Sequence, residues 1–468
     1  MVRKSSNHLK SSKTSAVWSL LLWGSVLALT YLRLSVAFSG SIDQSEALLS
    51  ICALHPAGGY VEGPAGVPLL LALDRTIFGS GIVVIRWISP VAALVLSWAL
   101  WWIVRHSVPN RPNVALWSVM GVNLLPQFNL ASVVMNGSIV TSAIVFVTVV
   151  AGWHAVIARS GGIVGVVGAW FFFGVLLGVG TLFFYPLGLA LPLALIACVY
   201  SSGMKVVSWG GIITAFILLL IGWTGPLLWN VRHDWIQWSS VAAGFDSIHA
   251  AGHIFSLGVT VETGVILVPL MVLLAYRGSF WRWPIILGAL GLAASSAVIL
   301  LNPALIPAGL PSPVGVHGIN EVARTLVSLR DQRLDERGAK PFLIASTSGL
   351  AALLGHAVTI EYPERPGSPA VFVAESPSLN SSFALWPCYA DAVAKAVNDP
   401  LYTEEKAVSP FLGRNAIYVT TELQDELPQT ITGAFQAVGL LQDVPLESNG
   451  RLLTLHIYQC EHYRALPL

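Results

Sequence analysis

Charge is what this chain has least of. Lys, Arg, Asp and Glu together supply 10% of its 468 residues, where soluble domains carry about 25%. A soluble globule of that length cannot cover its surface with so few charges. Hydrocarbon needs no such cover, and a hydrophobic fraction of 55% with a mean hydropathy of +0.71 points to a membrane protein. A formal net charge of +1 argues against nucleic acid as a partner and gives no steering field. A Walker A loop is missing, and so is a dinucleotide-binding G-x-G-x-x-G between a strand and a helix, so ATP coupling within the chain is not expected. Cysteine is scarce as well, at Cys52, Cys198, Cys388 and Cys460. Cys198 sits in an apolar run and reads as a small apolar residue. Cys388 and Cys460 share the C-terminal part, where an oxidising compartment permits a disulfide.

Long apolar runs are what the chain has in their place. A span needs about 20 mostly apolar residues. The first candidate covers about 16–36, after Arg3, Lys4, Lys10 and Lys13. Its apolar stretch is too long for a cleaved signal peptide, and no A-x-A-like site follows it, so an anchor is expected. Further spans are expected at roughly 83–104, 113–132, 137–157, 163–180, 184–200, 206–228, 256–276 and 284–302, about nine in all. A cytoplasmic N-terminus gives the inner loops Arg105, Arg111, Arg159, Lys205, Arg277 and Arg282, and leaves the outer segments Arg33, Arg75, Arg86 and Arg232. The positive-inside rule favours that orientation, which places everything after about Asn302 outside.

Two outer segments are long for connectors. One, at about 37–82, mixes acids with an amphipathic run from Pro64 to Phe78. The other, at about 229–255, opens Trp229, Asn230, Val231, Arg232, His233, Asp234, Trp235. Aromatic residues gather at membrane interfaces, so interfacial anchoring explains either segment on spacing alone. Composition changes after Asn302 and the prolines 303–313, and eleven of the 25 Lys and Arg residues lie beyond. Val322, Leu326 and Leu329 space an amphipathic helix over about 318–337, and 349–356 reads as another. Short apolar runs at 341–346, 371–374, 416–420 and 452–458 read as strands. The expected architecture is therefore mainly α: a transmembrane domain over 1–302 and a small α/β domain over 303–468.

The order of these features resembles the bacterial GT-C membrane glycosyltransferases, and most nearly the family of protein O-mannosyltransferases and the aminoarabinose transferase of lipid A. That family's W-N-x-x-H-D-W segment is matched by Trp229, Asn230, His233, Asp234 and Trp235, preceded by Pro226 and Leu228. Its first-loop acidic motif is met by Ser45, Glu46 and Ala47, its G-Y-F-D-H-P-P by Gly59, Tyr60, Val61, Glu62, Gly63 and Pro64, and its V-R-L by Ile85, Arg86 and Trp87. Stretches 318–326, 341–346 and 413–420 resemble its outer domain. The resemblance implies a bacterial inner-membrane enzyme acting on the periplasmic side. A sugar moves from a polyprenyl-phosphate donor to a lipid, glycan or protein acceptor, with inversion. Such chemistry needs a carboxylate, as base or to hold a divalent metal or the acceptor, and cationic donors for the departing phosphate.

By that resemblance Glu46, Glu62 and Asp43 are the candidate catalytic acids. Arg86, Tyr60, Asn136, Trp229, Asn230, Arg232, His233 and Asp234 are the candidate binding residues. The departures fall on the residues that matter: Ser45 replaces the first-loop Asp, Gly63 a His, Asn136 a second Asp and Phe184 a Lys. A catalytically degenerate relative that binds polyprenyl-linked lipid or partners an active enzyme is therefore the alternative. Each candidate also has an ordinary role to weigh: helix capping for Asp43 and Glu46, snorkelling for Arg86, local pairing with Arg232 for Asp234. His233, His249 and His253 lack a recognised ligand spacing, and Glu262 is an acid inside an expected span. A secondary transporter would show internal repeats and mid-membrane acids, and neither stands out here.

Overall fold

A computed structural model describes residues 2–79, 81–135, 137–157, 162–202, 208–237, 266–272, 315–335, 338–358, 367–375, 381–390, 410–448 and 451–464, with positions 290, 294, 296 and 364. The expected spans at 256–276 (but for 266–272) and 284–302 (but for 290, 294 and 296) lie outside the described residues, as do His249, His253 and Glu262. The chain divides into two compact units. One comprises 1–40, 57–59 and 64–305; the other comprises 41–56, 60–63 and 306–468.

The first unit is helical. Helix α1 runs Val2–Ser39, and α2, at Gln44–Leu54, belongs to the second unit. Two-residue strands β1 (Gly59–Tyr60) and β2 (Gly63–Pro64) precede α3 at Gly66–Phe78. Then follow α4 (Ile82–Arg86), α5 (Ile88–Ser107), α6 (Pro112–Asn123), α7 (Pro126–Val133), α8 (Ser138–Ile157), α9 (Gly162–Thr181), α10 (Ala190–Ser202) and α11 (Trp209–Arg232). Among the described residues, four helical stretches are long and apolar enough to cross a membrane: Val17–Ser39, Ile82–Ser107, Ser138–Ile157 and Trp209–Arg232. A fifth is α6 with α7, if that bent pair forms one span.

In place of the expected continuous span at 113–132 stand two helices bent by 64° to one another. Pro126 has no N–H to donate and forces Leu125 into extended backbone, at φ −71° and ψ 128°. Asn129 repairs the break, because its Nδ2 donates to the Asn123 and Leu125 carbonyls at 3.0 Å each. Similarly, 184–200 opens with a 3-10 turn at Tyr185–Leu189 before α10. Helices α9 and α11 cross on glycine: a Cβ on Gly178 or Gly222 would run into the other helix's backbone. Small residues let apolar helices approach closely where no hydrophobic force drives them together.

The second unit carries a six-stranded sheet ordered β3-β7-β8-β6-β4-β5. Its strands are β3 (Val316–His317), β4 (Phe342–Ala345), β5 (Phe372–Val373), β6 (Ala416–Thr420), β7 (Phe435–Ser448) and β8 (Arg451–Tyr463). β4 pairs in parallel with β5 and β6, and the other pairings are antiparallel. Helices α12 (Ile319–Gln332) and α13 (Ser348–Ala357) lie in the same unit. Parallel neighbours need a crossover, and α13 supplies the helix that follows β4. Phe342, Phe372, Tyr389, Phe411, Tyr418, Phe435, Tyr458 and Tyr463 fill the core. Helix α2 of the first loop packs on α13, where Ile51 meets Gly355 and Gln44 meets Gly349. Gly315, at φ +64°, passes so close to the Ser41 carbonyl that no side chain fits, and Val316 donates to Ile42 O at 3.2 Å. No disulfide joins Cys388 to Cys460.

Candidate functional site

The expected acids fall in the second unit, and local chemistry explains where each sits. Asp43 is the N-cap of α2 and accepts from Ser45 N at 3.4 Å and Ser45 Oγ at 2.9 Å. Glu46, three residues on, accepts from Asp43 N at 3.0 Å, which closes a capping box. Glu46 is fully buried. These two acids therefore hold the start of a helix.

Glu62 differs. It is exposed, yet its carboxylate is held from one side. Oε1 accepts from Ser381 Oγ at 3.0 Å and from Ser382 N at 2.9 Å, and Oε2 accepts from Ser382 Oγ. Ser381 caps the 3-10 helix Ser382–Leu385. Around this knot, Tyr60 donates its hydroxyl to the Cys52 and His55 carbonyls at 3.0 Å each. The His55 ring stacks on Trp386, with 4.3 Å between centroids. Burial lowers the His55 pKa below its usual 6.5. Burial first, then the nearby Glu62 charge, pushes the Cys52 thiol up, so Cys52 stays protonated and is no nucleophile.

The expected binding residues other than Tyr60 belong to the first unit. At the end of α11, Trp229 and His233 stack at 4.2 Å, as i,i+4 spacing directs, and the His233 ring bonds Trp229 O through Nδ1 at 2.7 Å. Asn230 is buried and donates to Gln237 Oε1 at 2.8 Å and Pro226 O at 2.9 Å. Tyr185 donates to the same Gln237 oxygen at 2.8 Å. Among the described residues Asn230 Oδ1 has no partner. The chain reverses through Asp234 and Trp235, at φ 51° and 56°. Arg232 and Asp234 are both exposed, and among the described residues no ion pair joins them.

Arg86 is fully buried and donates to Ala37 O at 3.0 Å, so snorkelling does not describe it. Asn136 lies outside the described residues. Among the described residues no three His, Cys, Asp or Glu side chains gather to hold a metal.

Three participants have no role assigned by the sequence, and one cation stands elsewhere than expected. Ser381 and Ser382 stand some 320 positions from Glu62, and no local pattern announces them. Gln237 follows the W-N-x-x-H-D-W segment immediately and was within reach. Arg33 was counted among outer-segment cations, but it lies inside the Val17–Ser39 helix and is fully buried.

These elements define a polytopic membrane protein with a second, sheet-bearing unit. The chain resembles the membrane glycosyltransferases: the Dolichyl-phosphate-mannose-protein mannosyltransferase family profile matches residues 62–229, about a third of the sequence. Among solved structures, ArnT from Cupriavidus metallidurans bound to undecaprenyl phosphate is similar at 12% identity and a TM-score of 0.49, over 94% of this chain and 98% of that one. The same protein in the apo state gives 12% and 0.45, over 97% and 100%. Likenesses so slight carry no argument, and the resemblance rests on the profile match. No curated protein matches the sequence.

Proposed function

We propose that this chain is a GT-C membrane glycosyltransferase of the bacterial inner membrane. It takes a sugar from a polyprenyl-phosphate donor and passes it to a lipid, glycan or protein acceptor on the periplasmic side. About nine spans, a cytoplasmic N-terminus and an extracytoplasmic C-terminal domain over 303–468 belong to the same reading. The observation that carries it is Glu62, an exposed carboxylate held in fixed orientation at the first residue of the matched family region.

In this reading Glu62 accepts the proton of an acceptor hydroxyl as its oxygen attacks the anomeric carbon. The bond to the donor phosphate breaks with inversion, and its electron pair leaves with the polyprenyl phosphate. A guanidinium stabilises that departing anion. Arg232 is exposed and suited to it, whereas Arg86 is buried against Ala37 O. By the family resemblance Trp229, Asn230, His233 and Asp234 are donor-binding residues, and Tyr60 holds the loop that carries Glu62 through its bonds to the Cys52 and His55 carbonyls. Asn230 Oδ1, without a partner among the described residues, is an acceptor suited to a sugar hydroxyl.

A second reading is favoured by one observation. Asp43 and Glu46 are engaged in a capping box, as they would be in a relative that binds polyprenyl-linked lipid without turning it over.

Single-turnover transfer from radiolabelled polyprenyl-phosphate sugars in liposomes separates the two. Loss of transfer in Glu62→Gln with donor binding retained supports the enzyme. Donor binding without transfer in the wild type supports the degenerate relative, and no binding at all sinks both.

A further inference from the structure

A carboxylate offers about four lone-pair positions, and at Glu62 three are filled by Ser381 Oγ, Ser382 N and Ser382 Oγ. Two of the three fall on Oε1, so the fourth position belongs to Oε2. The donors are not free to wander. Ser382 is 1% exposed, and its Oγ accepts from Val61 N at 2.9 Å, so the hydroxyl's single hydrogen is directed at Glu62. Ser381 is 8% exposed, and its Oγ accepts from Phe383 N at 3.2 Å as the cap of the 3-10 helix. The neighbour before Glu62 in sequence is thus tied to the same serine that holds its side chain. An exposed Glu ordinarily samples several rotamers, and here buried partners select one.

We propose that Ser381 and Ser382 are positioning residues for Glu62: they fix the carboxylate and, among the described residues, leave one Oε2 lone pair to receive the proton of an acceptor hydroxyl. The proposal rests on the glycosyltransferase reading above. It adds to it a residue pair, and a reason why a single carboxylate serves although the other first-loop acids cap a helix. Both serines act through Glu62 and touch no substrate. Misplacing a catalytic group by about 1 Å costs on the order of a hundredfold in rate, so loss of a single tether is expected to cost about tenfold.

The test uses the full chain in lipid nanodiscs, with Ser381→Ala, Ser382→Ala, Ser381→Thr and Glu62→Gln. Isotope-edited infrared spectra, with the Glu62→Gln difference marking the carboxylate band, read its hydrogen bonding without requiring turnover. The expected result is a shifted Glu62 band in both alanine variants. It comes with kcat about tenfold lower and KM within about twofold, and Ser381→Thr restores both, since threonine keeps the hydroxyl and caps well. A band that does not move in Ser382→Ala overturns the proposal, whatever the activity. So does a moved band with unchanged kcat in a chain whose Glu62→Gln variant has lost transfer. Full transfer by Glu62→Gln would instead remove Glu62 from the reaction and take the serines' catalytic part with it. A folded Ser382→Ala protein is verified by the sheet's amide bands in the same spectra.

Discussion

Arg33 lies fully buried in a membrane-length helix against Asn129, whose amide oxygen accepts from its Nε at 3.0 Å and its Nη2 at 2.6 Å. Nη1 reaches Asn123 Oδ1 at 3.0 Å, and the Phe128 ring covers the guanidinium at 5.1 Å. The two asparagines flank the break between α6 and α7, so one cation from α1 clamps both halves of the bent pair. Ionisable groups within spans are costly and persist where they bond to polar groups of the bundle. Among the described residues no carboxylate balances this charge.

Replacing Arg33 should therefore destabilise the bend. Arg33→Met leaves two buried amide oxygens without their charged donor, at about 1–3 kcal/mol for each unmet group. Arg33→Lys keeps the charge but loses the planar fork that addresses two acceptors at once. Both variants are expected to lower the thermal midpoint in nanodiscs, the methionine more. A lysine variant as stable as the wild type would mean that charge alone holds the bend.

The glycine crossing of α9 and α11 gives a paired expectation. Gly222→Leu drives a side chain into the Gly178 backbone, which cannot give way as a flexible side chain can. Overpacking of this kind costs about 1–3 kcal/mol or more, and the yield of folded protein should drop. Gly225, also on α11, has open space where its Cβ would stand. Gly225→Ala should be tolerated and makes the control. Equal losses in both would point to helix flexibility in place of close packing.

His55 sets a pH dependence. Burial lowers its pKa below 6.5, so the folded chain binds fewer protons here than the unfolded chain. Stability from this site is then complete above 6.5 and declines as pH falls through the window between 6.5 and the lowered folded value. Protonation also sets a charge beneath the stacked Trp386. Thermal midpoints measured from pH 7.5 to 5 should fall on the acid side, and His55→Gln should flatten part of that decline. An unchanged acid limb in the variant would assign the decline to other groups.

How much of this was legible in the sequence depends on the range of the interaction. Apolar length marks a span by itself, so α1, α5, α8 and α11 stand where hydropathy set them. The break at Pro126 did not show, because hydropathy runs on through 113–132 and the cost of the missing N–H is local. Strand β7 escaped because Gly439, Gln442, Asp443 and Pro445 interrupt its alternation. It pairs along nearly its whole length with β8, shifting register between Leu440 and Gln442. The capping box and the Trp229–His233 stack are i,i+3 and i,i+4 relations, readable from spacing once a helix is assumed. Ser381 and Ser382 reach Glu62 only through the folding of the second unit, and no spacing encodes that.

The capping box offers the sharpest separation of structural from catalytic acid. Gln at the third helical position serves a capping box as Glu does, since its side-chain oxygen still accepts from the Asp43 N–H. A structural Glu46 therefore predicts that Glu46→Gln folds and transfers sugar much as the wild type does. Glu46→Ala would lose about 1 kcal/mol, the usual cost of a lost cap. A catalytic Glu46 predicts that both variants lose transfer, because neither replacement can take a proton. Full burial of Glu46 and its bond to Asp43 N favour the first outcome. Transfer rates and thermal midpoints measured side by side on the two variants decide it, and loss of transfer in a stable Glu46→Gln protein would return Glu46 to the active site.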